Sequence, residues 1–121
     1  VFIESMVVKS LITLPESGVK LPKGERSVRV HGHAWAGDNT VKALDLSIDF
    51  GVTWTRAKLD LPANPYAWQN FSQTVKLPQK GYYEIWARAT DDQGRAQPFA
   101  IAWNPKGYMN NSMHRISVYA S

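Results

Sequence analysis

A chain of 121 residues has room for one domain, and a domain of that size buries roughly two-thirds of the surface its unfolded chain exposes. It has no cysteine, which excludes a disulfide scaffold, a thiolate metal site, a cysteine nucleophile and Fe–S ligation. Fourteen Lys and Arg against ten Asp and Glu give a net charge of +4, a weak preference for anions and far from a polybasic tail.

The apolar share is 44% and the aromatic share 12%, and with many Val, Ile and Thr this composition leans toward sheet. No apolar run approaches the roughly 18 residues of a membrane helix. No charged start followed by an apolar run marks a signal peptide. The chain opens Val1-Phe2-Ile3 without an initiator Met, as a processed protein or a piece of a longer one would.

No sustained helical period is present, and strand-like segments recur between Gly, Pro, Asn and Asp. Met6 to Thr13 (MVVKSLIT) reads as a first strand, broken at Leu14-Pro15-Glu16-Ser17-Gly18. Lys20 to Glu25 is turn-rich. In Arg26 to Ala36, small apolar Val28, Val30, Gly32, Ala34 and Ala36 alternate with Arg29, His31, His33 and Trp35. This is the period of two of a half-buried strand.

Gly37-Asp38-Asn39 turns the chain. Val41 to Asp49 sets Leu44, Leu46 and Ile48 on one face and Asp45, Ser47 and Asp49 on the other. Thr53 to Lys58 is its hairpin partner, and Leu59 to Pro65 is a loop. Trp68 to Leu77 alternates again, and Pro78-Gln79-Lys80-Gly81 is a tight turn. Tyr82 to Thr90 opposes Tyr83, Ile85, Ala87 and Ala89 to Tyr82, Glu84, Trp86 and Arg88. Pro98 to Asn111 is irregular, and His114 to Tyr119 is the last strand. About seven short strands without a helix predict an all-β, two-sheet antiparallel sandwich, with a barrel as the alternative closure.

Four features could carry chemistry. Ser47 to Trp54 has the form S-x-D-x-G-x-T-W, which resembles the Asp-box hairpin of sialidase propellers. Asp accepts from nearby amides there and Gly supplies the unusual dihedral. A single copy argues against a propeller, so Asp49 reads as a structural residue. His31 and His33 share one strand face and could share a metal, yet local supporting ligands are missing and they read as surface histidines. Trp35, Trp54, Trp68, Trp86, Trp103, Tyr66, Tyr82, Tyr83 and Tyr108 could stack on sugars or bases. Such residues serve more often as core and interface anchors, and scattered Lys and Arg do not make a nucleic-acid face. In Trp103 to Asn111, Pro105 and Gly107 suit the second and last positions of a turn, which places Lys106 at its tip. No nucleophile-and-base spacing and no phosphate loop is present, so a self-sufficient active site is not expected.

Gly32-His33-Ala34-Trp35-Ala36-Gly37, the Ser47–Trp54 hairpin, Tyr83 to Asp91, and Trp103-Asn104-Pro105-Lys106-Gly107-Tyr108 leading to His114-Arg115-Ile116 stand in an order that resembles the C-terminal dimerisation domain of sulfite oxidases and related molybdenum oxidoreductases. Val8 to Ile12 also fits the opening of that domain. The resemblance implies an early-set immunoglobulin-like sandwich over residues 1–121, forming the tail of a longer polypeptide. It implies a molybdopterin cofactor held by an upstream domain whose cysteine ligates molybdenum, with no cofactor or metal in this chain. The implied reaction is oxidation of sulfite, or a related sulfur oxyanion, to sulfate. The implied partners are that upstream domain, a second copy of the chain, and cytochrome c or another electron acceptor, with no nucleic acid and no membrane. Bacterial members imply a periplasmic location.

In the vertebrate and plant sulfite oxidases that the chain resembles, the Trp-Asn-x-x-Gly segment carries an arginine that reaches toward the sulfite pocket; Lys106 stands there, keeping the charge without the bidentate fork. Phe50 likewise stands where the family usually has Gly. From another class, a free-standing carbohydrate-binding sandwich using exposed Trp and Tyr is the competing expectation.

Overall fold

In the computed structural model, residues 8–37, 39–62, 67–97 and 113–121 are described. Nine strands occur among them: β1 (Lys9–Leu14), β2 (Val19–Lys20), β3 (Ser27–Trp35), β4 (Val41–Ser47), β5 (Thr55–Arg56), β6 (Lys58–Leu59), β7 (Gln69–Lys76), β8 (Gly81–Asp91) and β9 (His114–Ala120). They form two sheets, β1-β3-β7-β6 and β2-β9-β8-β4-β5. This order is that of an immunoglobulin-like sandwich. Every pairing is antiparallel except β2 with β9, where Val19 stands opposite Val118 in a parallel register.

The long strands follow their alternation. Val28, Val30, Ala34 and Ala36 are buried from the β3 side, and Leu44, Leu46, Ile85, Ala87, Ala89, Ile116 and Val118 from the other sheet. These inner faces make one core. Where the structure departs from the sequence reading, the segments are short. Thr53 to Lys58 is not one hairpin partner. β5 pairs with β4, and β6 pairs with β7 in the opposite sheet. Ala57 sits between them, buried, and its N–H donates to Leu44 O at 2.8 Å. The chain changes sheets at this small residue. The turn-rich Lys20–Glu25 stretch likewise begins within β2. Together these changes turn about seven expected strands into nine.

Buried polar side chains tie the layers. Gln69 is 3% exposed. Its Nε2 donates to Val41 O and Asp60 O, at 3.1 and 3.0 Å, and its Oε1 accepts from Val41 N–H at 2.8 Å. A buried amide satisfied this fully stabilises, whereas its truncation would orphan backbone groups. Gln97 Oε1 accepts from Ala89 N–H at 2.9 Å and from Ser10 Oγ at 2.7 Å.

β1 lies at the edge of its sheet, where a free N–H invites a foreign strand. The Ile12 N–H instead donates to His114 Nδ1, at 2.9 Å. To accept, His114 must be neutral at Nδ1, and burial pushes its pKa below the ordinary 6.5. The unfolded chain therefore binds this proton more readily than the folded one. Stability from this group is complete above about pH 6.5 and falls as the pH drops toward the lowered folded value. We expect urea midpoints of the wild type to fall on acidification through this window. The fall should be smaller in His114→Gln, and equal slopes in both proteins would contradict the assignment.

Candidate functional site

The Ser47–Trp54 hairpin shows what its carboxylate does. Asp49 Oδ1 accepts from Thr53 N–H at 2.9 Å and from Ser47 Oγ at 2.8 Å, and the Thr53 hydroxyl donates to Oδ2. Ser47 Oγ in turn accepts from Gly51 N–H at 2.9 Å, and Trp54 Nε1–H donates to Gly51 O at 3.1 Å. The Thr53 bonds, ahead of that from Ser47, hold the Asp49 carboxyl down at about 2. Both oxygens are spent on the turn, as expected for a structural Asp. Acidification through pH 4 to 2 should loosen this hairpin. The contribution is present above the unfolded value of 3.8 and is lost as pH falls through about 2. The Thr53 amide shift, followed by NMR, should titrate in that window and should not titrate in Asp49→Asn.

Phe50 follows at φ 61° and Gly51 at φ 85°. The left-handed region suits Gly, so Phe50 is a costly occupant of a position that Gly would fill without strain. Its ring is 56% exposed and meets Trp86 edge-on, with centroids 5.9 Å apart.

That contact explains a residue the alternation placed outside. Trp86 lies on the outer face of the five-stranded sheet yet is only 3% exposed. Phe50 covers it, the Arg115 guanidinium lies 5.4 Å from its ring, and its Nε1–H donates to Glu84 Oε1 at 2.9 Å. Glu84 Oε2 accepts from Tyr82 OH at 2.7 Å. These bonds, from Tyr82 first and Trp86 second, hold the Glu84 carboxyl below its usual range. Beside them the Arg88 guanidinium lies 4.0 Å from the Trp54 ring. Asp45, 7% exposed, pairs with Arg56 at 2.7 Å and Arg88 at 3.8 Å. Arg88 Nε has no hydrogen-bond partner among the described residues, and the aromatic face of Trp54 is what it meets instead. Alternation alone could not show this layer, because charged and aromatic residues on an outer face read as solvated.

The outer face of the four-stranded sheet is built differently. Trp35 and Trp68 stack with centroids 6.0 Å apart, His33 meets Trp68 edge-on at 6.1 Å, and Lys9 Nζ lies 5.6 Å from the Trp35 ring. His33 Nδ1 shares a 2.7 Å hydrogen bond with Asn70 Oδ1. His31 and His33 both open onto a cleft of about 340 Å³ with Thr13, Lys58, Asp60 and Ser72. Among the described residues no group of three or more His, Asp or Glu could hold a metal. His114, the third histidine, is engaged by β1.

Asp91 and Asp92 are similarly committed to local structure. Asp91, fully buried, accepts from the Gln93 and Arg95 N–H groups and pairs with Arg95 Nε at 2.8 Å. Asp92 accepts from the Thr40 N–H and hydroxyl. Lys106, with Trp103, Tyr66 and Tyr108, lies outside the described residues.

The whole chain, residues 1–121, matches the model of the Mo-co oxidoreductase dimerisation domain. It is 35% identical to mitochondrial sulfite oxidase of Homo sapiens over 98% of its own length, spanning 23% of that protein. It is 31% identical to nitrate reductase [NADH] 1 of Oryza sativa subsp. japonica over 96% of this chain and 14% of that one. Among solved structures, the sulfane dehydrogenase SoxCD of Paracoccus pantotrophus matches with a TM-score of 0.75 and 30% identity, over 91% of this chain and 29% of that chain. A fibronectin(III)-like module of Clostridium thermocellum CbhA matches with a TM-score of 0.58 at 15% identity, a likeness of fold alone.

Proposed function

The chain belongs to the Mo-co oxidoreductase dimerisation domain family, and from that premise we propose that it is the dimerisation and pocket-closing part of a molybdenum-dependent enzyme that oxidises sulfite or a related sulfur oxyanion. The observation that carries this reading is the 35% identity to a sulfite oxidase across 98% of the chain. The chain spans about a quarter of that relative's length, so the reaction of the whole polypeptide is inferred through the shared domain. The committed carboxylates support a division of labour. Asp45, Asp49, Asp91 and Asp92 are each engaged by neighbouring groups, which suits a domain that leaves the chemistry to another. The molybdenum cofactor would reside in that other domain, which supplies the two-electron oxidation.

The role of this chain's own residues centres on Lys106. Its ammonium would meet the substrate oxyanion at the wall of the neighbouring domain's pocket and hold it by a point charge rather than a fork. Electrons would then pass to cytochrome c or another acceptor, in the periplasm. The test uses the full polypeptide. Lys106→Ala should raise KM for sulfite about tenfold or more, the loss of one charge-assisted contact. Lys106→Arg should restore most of it. An unchanged KM in Lys106→Ala would remove Lys106 from the pocket. Absence of sulfite turnover in the wild type would remove the substrate assignment.

The competing carbohydrate reading needs an open aromatic platform. Trp35 and Trp68 are the candidates, and they stack on each other, with the Lys9 ammonium 5.6 Å from the Trp35 ring. No observation favours a sugar there over a protein partner.

A further inference from the structure

β7 is paired with β3 along its whole length, but with β6 only in part. The Asp60 N–H donates to Asn70 O at 2.9 Å, and the Leu77 N–H to Arg26 O at 2.8 Å. Even-numbered residues of β7 therefore turn their backbone groups toward β6, and odd-numbered ones toward β3. β6 reaches only as far as Ser72, opposite Lys58. The chain before it belongs to β5 in the other sheet, so the N–H and C=O groups of Thr74 and Lys76 face no strand among the described residues. A cavity of about 290 Å³ lies there, lined on this side by Gln73, Thr74, Val75 and Lys76. Neighbours on a strand point to opposite faces, so a cavity touched by this whole run lies along the strand's edge. Leu46, Ile48 and Thr55 wall it from the other sheet. Gln73 Nε2 donates to the Thr55 hydroxyl at 2.9 Å, and Gln73 Oε1 is buried without a hydrogen-bond partner among the described residues. The hollow thus combines open main-chain groups, an aliphatic lining and one unsatisfied acceptor.

We propose that this edge takes up an extended peptide segment of another polypeptide by strand addition, with an aliphatic side chain in the cavity and acidic residues at the segment's ends. Strand addition draws its affinity from main-chain hydrogen bonds and its specificity from pockets for alternate side chains. The acidic ends follow from the charge around the edge. Arg29, Lys58 and Lys76 have no ion-pair partner among the described residues, and Arg29 donates to the Thr74 and Ser72 hydroxyls beside the gap. The acids nearby are already engaged, Asp49 by Thr53 and Ser47, and Asp45 by Arg56 and Arg88. Asp60 bonds opposite Asn70, away from the gap. Lysines on an open edge repel a second edge of the same charge, which favours an acidic segment over another copy of this strand. The site stands apart from the reaction proposed for the whole polypeptide and does not depend on it.

Fluorescence anisotropy of the labelled peptide Asp-Glu-Thr-Val-Thr-Leu-Thr-Asp-Glu, titrated with the full polypeptide, tests this. We expect a Kd on the order of 100 μM or tighter. Lys76→Pro removes an N–H turned away from β3 and should raise that Kd about tenfold or more. Replacing the peptide's acids by Lys should weaken binding by a similar factor, about tenfold. N-methylation of every second peptide amide should abolish binding in one phase and preserve it in the other, the mark of a strand paired along one edge. If Lys76→Pro shows no cooperative melting, the methylated peptides decide on the wild type alone. No binding at about 1 mM would overturn the proposal and leave Lys76 as a guard of the edge. Binding that survives Lys76→Pro, or both methylation phases, would overturn it by moving the peptide elsewhere.

Discussion

Gly32→Ala should leave the domain unfolded or destabilised by about 3 kcal/mol or more. Gly32 points into the sandwich from the middle of β3. A methyl group added there would stand 2.3 Å from the carbonyl oxygen of Leu11 and 2.3 Å from Cζ of Phe71. Phe71 is the residue directly across from Gly32 in the β3–β7 register, and it is 2% exposed. The ring thus lies where a side chain would otherwise be, and the glycine is what lets β7 carry a phenyl group in the core. Trimming Phe71 would relieve one clash only, because the other is with backbone. Gly32→Ala combined with Phe71→Ala should therefore remain unstable. Denaturant titration of both variants checks this. A Gly32→Ala protein within about 0.5 kcal/mol of wild type, the usual range for a neutral surface change, would refute it.

Asp91→Ala should cost about 3 kcal/mol. This carboxylate is fully buried at the end of β8. It holds the 91–95 turn by accepting at 2.9 Å from Gln93 N–H and at 2.8 Å from Arg95 N–H, with Arg95 Nε at 2.8 Å on its second oxygen. Gly94 completes the turn at φ 83°. Alanine would take the acceptor from two amide donors at once, while the Arg95 guanidinium, 41% exposed, would turn to solvent. Asp91→Asn keeps an acceptor for the amides and loses the charge pair, so its cost should be roughly half as large. Thermal melts of the two variants should rank in that order, and a reversed ranking would show that the retained acceptor does not hold the turn.

The elements most legible in the sequence were those long enough for alternation to repeat. β3 and β8 show their buried faces as Val28, Val30, Ala34 and as Ile85, Ala87, Ala89. The hairpin at Ser47–Trp54 was readable because its turn chemistry is local, with Asp49, Gly51 and Thr53 only a few residues apart. β5 was legible as the hairpin partner of β4, but β2 and β6 were not readable, since two residues carry no period. Their sheet membership is decided by tertiary partners such as Leu44 O at Ala57. The burial of Trp86, Asp45 and Ser47 on an outer face was equally hidden. It depends on Phe50, Arg56, Arg88 and Arg115, which arrive from other strands and from the hairpin. The pairing of His114 with Ile12 joins residues 102 apart in sequence, beyond the reach of any motif. Lys106 rests on the family resemblance, with no geometry to add to it.

β1 makes two contacts whose combination matters more than either alone. Ser10 holds Gln97 and Ile12 holds His114, and these two partners stand on opposite sides of Lys106 in the sequence. Each of these partners is also held by β8, Gln97 through the Ala89 backbone and His114 opposite Ala87 in the β8–β9 register. β1 is thus a second clamp on two residues that β8 already fixes, and lifting it would weaken both anchors together without freeing either. Protection of the Ile12 amide against hydrogen exchange would read out, at one position, whether that second clamp is seated.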